Sequence, residues 1–182
     1  MDASFDAVLC VGYHAQAVTQ GVLHHTINGG VVYNILVNGE SQGELGLNAG
    51  IATYFDTPIV LLTGDTAAAA EATELIPGIE VAAVKEPLTR YAAKCLSPSA
   101  AQDLIRRQAK RALERRGDIP QVRYTMPVTL TLQVRNSAMA DVAEMIPGVD
   151  RTGPLTISYA SDDYLEAFNC LLAMIMVAGA GG

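Results

Sequence analysis

Every histidine in the 182-residue chain falls between Tyr13 and Thr26: His14, His24 and His25. The rest of the sequence has none, so the clustering carries information. A carboxylate of interest opens the segment Gly43-Glu44-Leu45-Gly46-Leu47-Asn48, where helical spacing begins. Ring nitrogens and carboxylate oxygens are ligands that zinc accepts, and a strand end and a helix start are rigid places to hold them. Each residue also has an ordinary reading. His14 suits the end of a strand, and Glu44 suits the positive end of a helix dipole. His24 and His25 are neighbours, and in an extended segment neighbours point opposite ways, so only one of them faces a site.

The elements that must position these residues follow from the apolar pattern. Ala7-Val8-Leu9-Cys10-Val11 predicts a buried strand ended by Gly12. Such a strand needs neighbours, and an open edge on it would be exposed. Residues 12–30 show no period and read as a loop, a common host for functional groups. Residues 31–37 predict a strand, Asn38-Gly39 a tight turn, and residues 44–55 a helix stopped by Asp56-Thr57-Pro58. Leu45, Leu47, Ile51 and Tyr54 are that helix's predicted core contacts. A continuous apolar strand follows at 58–63, then a helix over 66–76 with Asp65 as its N-cap.

Further on, a strand is predicted at 81–85, and a long amphipathic helix over 100–116 capped at Pro98 or Ser99. An alternating, half-exposed strand at 128–134 precedes a helix at 137–146, a strand at 154–159 and a last helix at 162–177. The glycines at 179–182 are expected to fray. Glu74-Leu-Ile-Pro-Gly-Ile and Glu144-Met-Ile-Pro-Gly-Val echo each other as helix stop signals. Strands alternating with helices predict an α/β (α+β-like) fold with a mixed β-sheet flanked by helices. One domain over 1–182 is expected, with room for a small lobe from about residue 121 to 182.

The composition excludes some partners. Half the residues are hydrophobic, 17% are charged, and the formal charge is -7, which leaves no basic surplus for nucleic acid. The basic stretch at 106–116 reads as a solvated helix face. Cys10, Cys95 and Cys170 lie far apart, are odd in number and form no CxxC pair, which suits a reduced cytoplasmic setting. Cys10 and Cys170 read as small buried hydrophobes. Met1-Asp2-Ala3-Ser4 lacks the basic and apolar character of a leader. The apolar tail at 171–177 is too short to span a bilayer, so no membrane partner is expected. A cysteine hydrolase using Cys95 beside Lys94 is a further reading, but nothing in the sequence pairs that thiol with a base.

The segments Val11-Gly-Tyr-His-Ala15, Gly21-Val-Leu-His-His-Thr26, Gly43-Glu-Leu-Gly-Leu-Asn48 and Ala83-Val-Lys85 occur in a characteristic order. Lys94-Cys-Leu-Ser-Pro98 and Met145-Ile-Pro-Gly148 continue it. Over nearly its whole length the chain resembles the zinc-dependent D-aminopeptidases of the DppA type. The resemblance implies a dinuclear zinc site with His14 and Glu44 as metal ligands. It places His25, not His24, at the family's catalytic position. It implies release of amino-terminal D-residues from short peptides such as D-Ala-D-Ala, by zinc-activated water, in a cytoplasmic homo-oligomer assembled as a ring. The family's first strand carries Asp-x-Glu, and a later Asn-Asp-x-His-type segment adds further ligands. Neither is found in these 182 residues, so the chain is expected to be the carboxy-terminal portion. The alternative is a catalytically impaired or inactive fragment or paralogue acting as an oligomeric binding protein.

Overall fold

The computed structural model describes residue 2 and residues 4–182; Met1 and Ala3, part of the start read above for a leader, lie outside the described residues. The chain opens with β1 (Val8–Tyr13), β2 (Val32–Val37), β3 (Glu40–Ser41) and α1 (Glu44–Tyr54). It continues through β4 (Ile59–Asp65), α2 (Thr66–Leu75), β5 (Glu80–Thr89), β6 (Ala92–Cys95) and α3 (Pro98–Glu114). The last elements are β7 (Val128–Val134), α4 (Ser137–Ala143), β8 (Asp150–Gly153), β9 (Thr156–Ser161) and α5 (Tyr164–Ala178). They fall into two compact units. The first holds the chain up to His24 and Asn48–Arg123; the second holds His25–Leu47 and Tyr124–Gly182.

The first unit is built on a sheet of order β1-β4-β5-β6. β1, β4 and β5 run parallel, and β6 returns antiparallel to β5. β4 is central and buried along its whole length, as a continuous apolar run in a parallel sheet should be. Asp65 at its end caps α2, accepting from the Ala68 amide at 2.8 Å, and the alanine face Ala68, Ala69 and Ala72 packs inward. α3 starts earlier than its sequence suggests. Ser97 is the N-cap, accepting from the Ala100 amide, and Pro98 takes the first turn, where its missing N–H costs nothing. The basic face of α3 is not wholly solvated, because Arg111 and Arg115 both reach the buried carboxylate of Glu80 on β5.

The second unit holds an antiparallel sheet of order β3-β2-β7-β9-β8. β7 alternates as read, with Val128, Leu130, Leu132 and Val134 buried. Asn38 and Gly39 both take positive φ and turn β2 into β3. α5 is capped by Asp163 and buries Ala167, Leu171 and Met174 along one side, packed on β7, β9 and α4. The span Tyr164–Gly181 is long and apolar enough to cross a membrane by length and composition, longer than the apolar tail read alone. In the second unit one side of α5 packs on the antiparallel sheet and α4, and about a third of the span is buried (33%).

The α/β architecture therefore matches the expectation, with one mixed sheet and a second, antiparallel one. Several local readings are corrected. β1 does not stop at Gly12 but runs on to Tyr13, the Gly12 amide donating to Thr63 Oγ1 at 2.9 Å. Tyr54 is exposed on α1, and Ala49 and Ala52 take the core positions, small enough for close packing. Cys170 is half-buried, whereas Cys10 is buried. The glycine tail forms a short 3-10 turn at Gly179–Gly181 instead of fraying; a Cβ on Gly181 would meet the Ala138 carbonyl at 2.7 Å.

Candidate metal centre

In the second unit, Glu44 is the first residue of α1, where the helix dipole favours a carboxylate. The helix start is held by two tyrosines. Tyr124 and Tyr164 stack with centroids 5.9 Å apart and donate to successive carbonyls, Gly46 at 3.0 Å and Leu47 at 2.8 Å. Burial pushes both phenols far above their ordinary range, so they remain donors. Glu44 Oε1 accepts from the Ile27 amide at 2.9 Å. The same oxygen lies 3.9 Å from His25 Nε2, and both side chains are about one third exposed, at 33% and 31%. That separation is below the roughly 4.2 Å that two zinc bonds of about 2.1 Å can span, so one ion could touch both atoms. The donor chemistry, an imidazole and a carboxylate open to solvent, fits zinc.

Ile27 itself has φ +57, a conformation a β-branched residue rarely adopts. Such strain costs about 1–3 kcal/mol per residue and gathers where a fold must aim particular groups. Here it turns the Ile27 amide toward Glu44. No feature of an isoleucine in sequence signals this role.

In the first unit, His14 directly follows β1. Its Nδ1 lies 3.1 Å from the Ala15 carbonyl, and in the tautomer that donates this bond the lone pair sits on Nε2, as a metal ligand requires. Two contacts set this strand end. Tyr13 Oη accepts from Asn48 Nδ2 at 2.6 Å, and Gly64 on β4 lies so close that a Cβ there would be 2.4 Å from the Tyr13 carbonyl oxygen. Beyond His14, the Gln16 amide donates to both carboxylate oxygens of Glu71 at 3.0 and 3.1 Å. Burial, the largest influence, pushes Glu71 up to about 7. Sequence reasoning missed Glu71, which sits in an ordinary alanine-rich helix.

His24 Nδ1 lies 2.8 Å from the Gly21 carbonyl. The neighbouring Leu23 has φ +53, so the histidine pair is not in the extended segment that its sequence suggested. Val22 donates its amide to Asp65 at 2.7 Å, tying this loop to the cap of α2. Cys95 is exposed on β6, and no histidine is among the described residues that line the cleft beside it.

In the second unit, an imidazole and a carboxylate 3.9 Å apart are groups of the kind that metal-dependent hydrolases use. The chain belongs to the D-aminopeptidase family Peptidase_M55, whose profile matches residues 1–173. It is 37% identical over 179 residues to the D-aminopeptidase of Bacillus subtilis (strain 168), covering 98% of this chain and 65% of that protein. A solved structure described as the Zn-dependent D-aminopeptidase DppA from Bacillus subtilis, a self-compartmentalizing protease, is similar with a TM-score of 0.94 at 37% identity. Coverage there is again 98% of this chain and 65% of the other, so the chain spans just under two thirds of the relative's length.

Proposed function

We propose that this chain carries the catalytic chemistry of a zinc-dependent aminopeptidase that releases amino-terminal D-residues from short peptides such as D-Ala-D-Ala. His14 and Glu44 are assigned as zinc ligands, and His25 as the residue that assists the reaction beside them. Each offers a donor of the kind zinc takes, a ring nitrogen or a carboxylate oxygen. The observation that carries the reading is the His25–Glu44 pair at 3.9 Å, partly open to solvent. Zinc, when bound, polarises a scissile carbonyl and lets water attack at neutral pH. The chain's own residues set the stage. The Ile27 amide fixes the Glu44 oxygen, and His25 Nε2, 3.9 Å from that oxygen, is placed to accept and return a proton beside the reacting groups.

The remaining ligands are assigned to a segment outside these residues. Support comes from β1, an edge strand among the described residues, whose Leu9 and Val11 side chains are 37% and 64% exposed on one face of the sheet. An open edge is a place for a further strand to pair. A second ion would draw on that segment. Self-association is proposed by likeness to the relative described as self-compartmentalizing. A reducing cytoplasm suits three free cysteines.

The partial span supports a second reading, a non-catalytic binding protein that keeps the fold. Hydrolysis separates the two. Purified chain with added zinc is expected to release D-alanine from D-Ala-D-Ala, and Glu44→Ala to abolish the release. If neither this chain nor a version extended upstream cleaves the peptide, the aminopeptidase reading fails.

A further inference from the structure

The carboxyl ends of the parallel strands in the first unit form a row. Tyr13 on β1 sits opposite Gly64 on β4, Gly64 opposite Ala83 on β5, and Asp65 opposite Lys85. His14, one residue past Tyr13, therefore lies about two strand spacings, or about 10 Å, from Lys85 along the sheet edge. In open α/β sheets ligands favour this crevice outside the strand ends.

Beside this row is a cleft of about 210 Å³, lined by Lys85, Lys94, Cys95, Glu86, Thr66 and Leu96 among others. It exceeds the ~150 Å³ that accommodates benzene, and is roomy enough for a terminal alanine residue. The ladder arranges its charges. Lys94 stands opposite Glu86, while Lys85 stands between Cys95 on β6 and Asp65 on β4, whose carboxylate is taken up by the Val22 and Ala68 amides. Among the described residues neither lysine side chain makes an ion pair or hydrogen bond. Lys85 is half-buried and lines the cleft, which it shares with Lys94 and the single carboxylate Glu86.

We propose that Lys85 receives the free carboxylate of a short peptide whose scissile bond lies at His14. The inference rests on the aminopeptidase reading and deepens it, making Lys85 the residue that selects short peptides with a free carboxyl end. An extended residue spans about 3.3–3.6 Å, so one or two residues beyond the scissile carbonyl bring the carboxylate within reach of the lysine stem. Longer peptides overrun the cleft. Lys85 touches the substrate away from the reacting atoms and acts on binding.

Two readouts test this on the full chain. Cys95 shares the cleft, so its alkylation by iodoacetamide, followed by peptide mass spectrometry without added zinc, reports occupancy. D-alanyl-D-alanine is expected to slow alkylation and D-alanyl-D-alaninamide not to; Lys85→Met abolishes the protection and Lys85→Arg restores it. With zinc present, kcat/KM for the free acid is expected to exceed that for the amide by about 10- to 100-fold, through KM, and Lys85→Met to erase most of that preference. Equal protection by acid and amide, or protection that survives Lys85→Met, overturns the proposal. Carboxylate-specific protection with no hydrolysis, either by this chain or by a version extended upstream, upholds the cleft's role and removes the aminopeptidase reading instead.

Discussion

Glu44 illustrates how one oxygen serves two purposes at the residue scale. Its Oε1 accepts the Ile27 amide and also faces His25, so the bond that orients the carboxylate orients it toward the imidazole. Glu71 is a different case. Burial raises it to about 7, the Gln16 amide and the Thr19 side chain lower it, and the nearby charges of Asp65 and Glu74 raise it again. A carboxyl with a folded pKa above its unfolded value of 4.5 binds its proton more tightly in the native state. Its contribution is therefore present in acid and is lost as pH rises through about 7. Glu71→Gln keeps an acceptor for Gln16 without the charge. We expect it to flatten the stability profile between these two pKa values. At pH 8, discounting for the carboxyl's partial exposure, it should raise stability by about 1 kcal/mol, or about 2–4 °C in Tm. Thermal unfolding across that range checks the sign; a lower Tm at pH 8 would refute it.

At the scale of elements, the approach of β1 to β4 decides where His14 stands. Gly64 has no room for a Cβ, and the atom it would strike is the Tyr13 backbone carbonyl, which cannot swing aside like a side chain. Gly64→Ala should therefore part the two strand ends, costing about 1–3 kcal/mol by denaturant unfolding and weakening zinc binding with it. Unchanged stability would mean that β1 is held more loosely than its register implies. This contact also marks what could be read from the chain. The alternation of β7, the Asp65 cap and the apolar run of β4 are local patterns, and they were legible. β6 and β8 have only four residues each and show no such pattern. Glu80 reads as an ordinary surface acid until α3 brings Arg111 and Arg115 across to it. His14, His25 and Glu44 stood out by clustering and by family likeness. Ile27 did not, because its part is played by a backbone amide in a strained conformation, which side-chain identity does not encode.

Across the whole molecule, family membership and the ligand chemistry point the same way, while the chain spans 65% of the relative it matches. The open edge of β1 is where we place the complement. Extending the chain upstream should cover Leu9 and Val11, and slower amide exchange along β1 would register it. Metal binding is the property on which the functional reading depends, and it can be measured without any substrate. Elemental analysis after zinc loading and dialysis should find up to about one zinc per chain, and a clear loss in both His14→Ala and Glu44→Ala. A wild-type chain that retains no zinc, or variants that retain as much as wild type, would contradict the account.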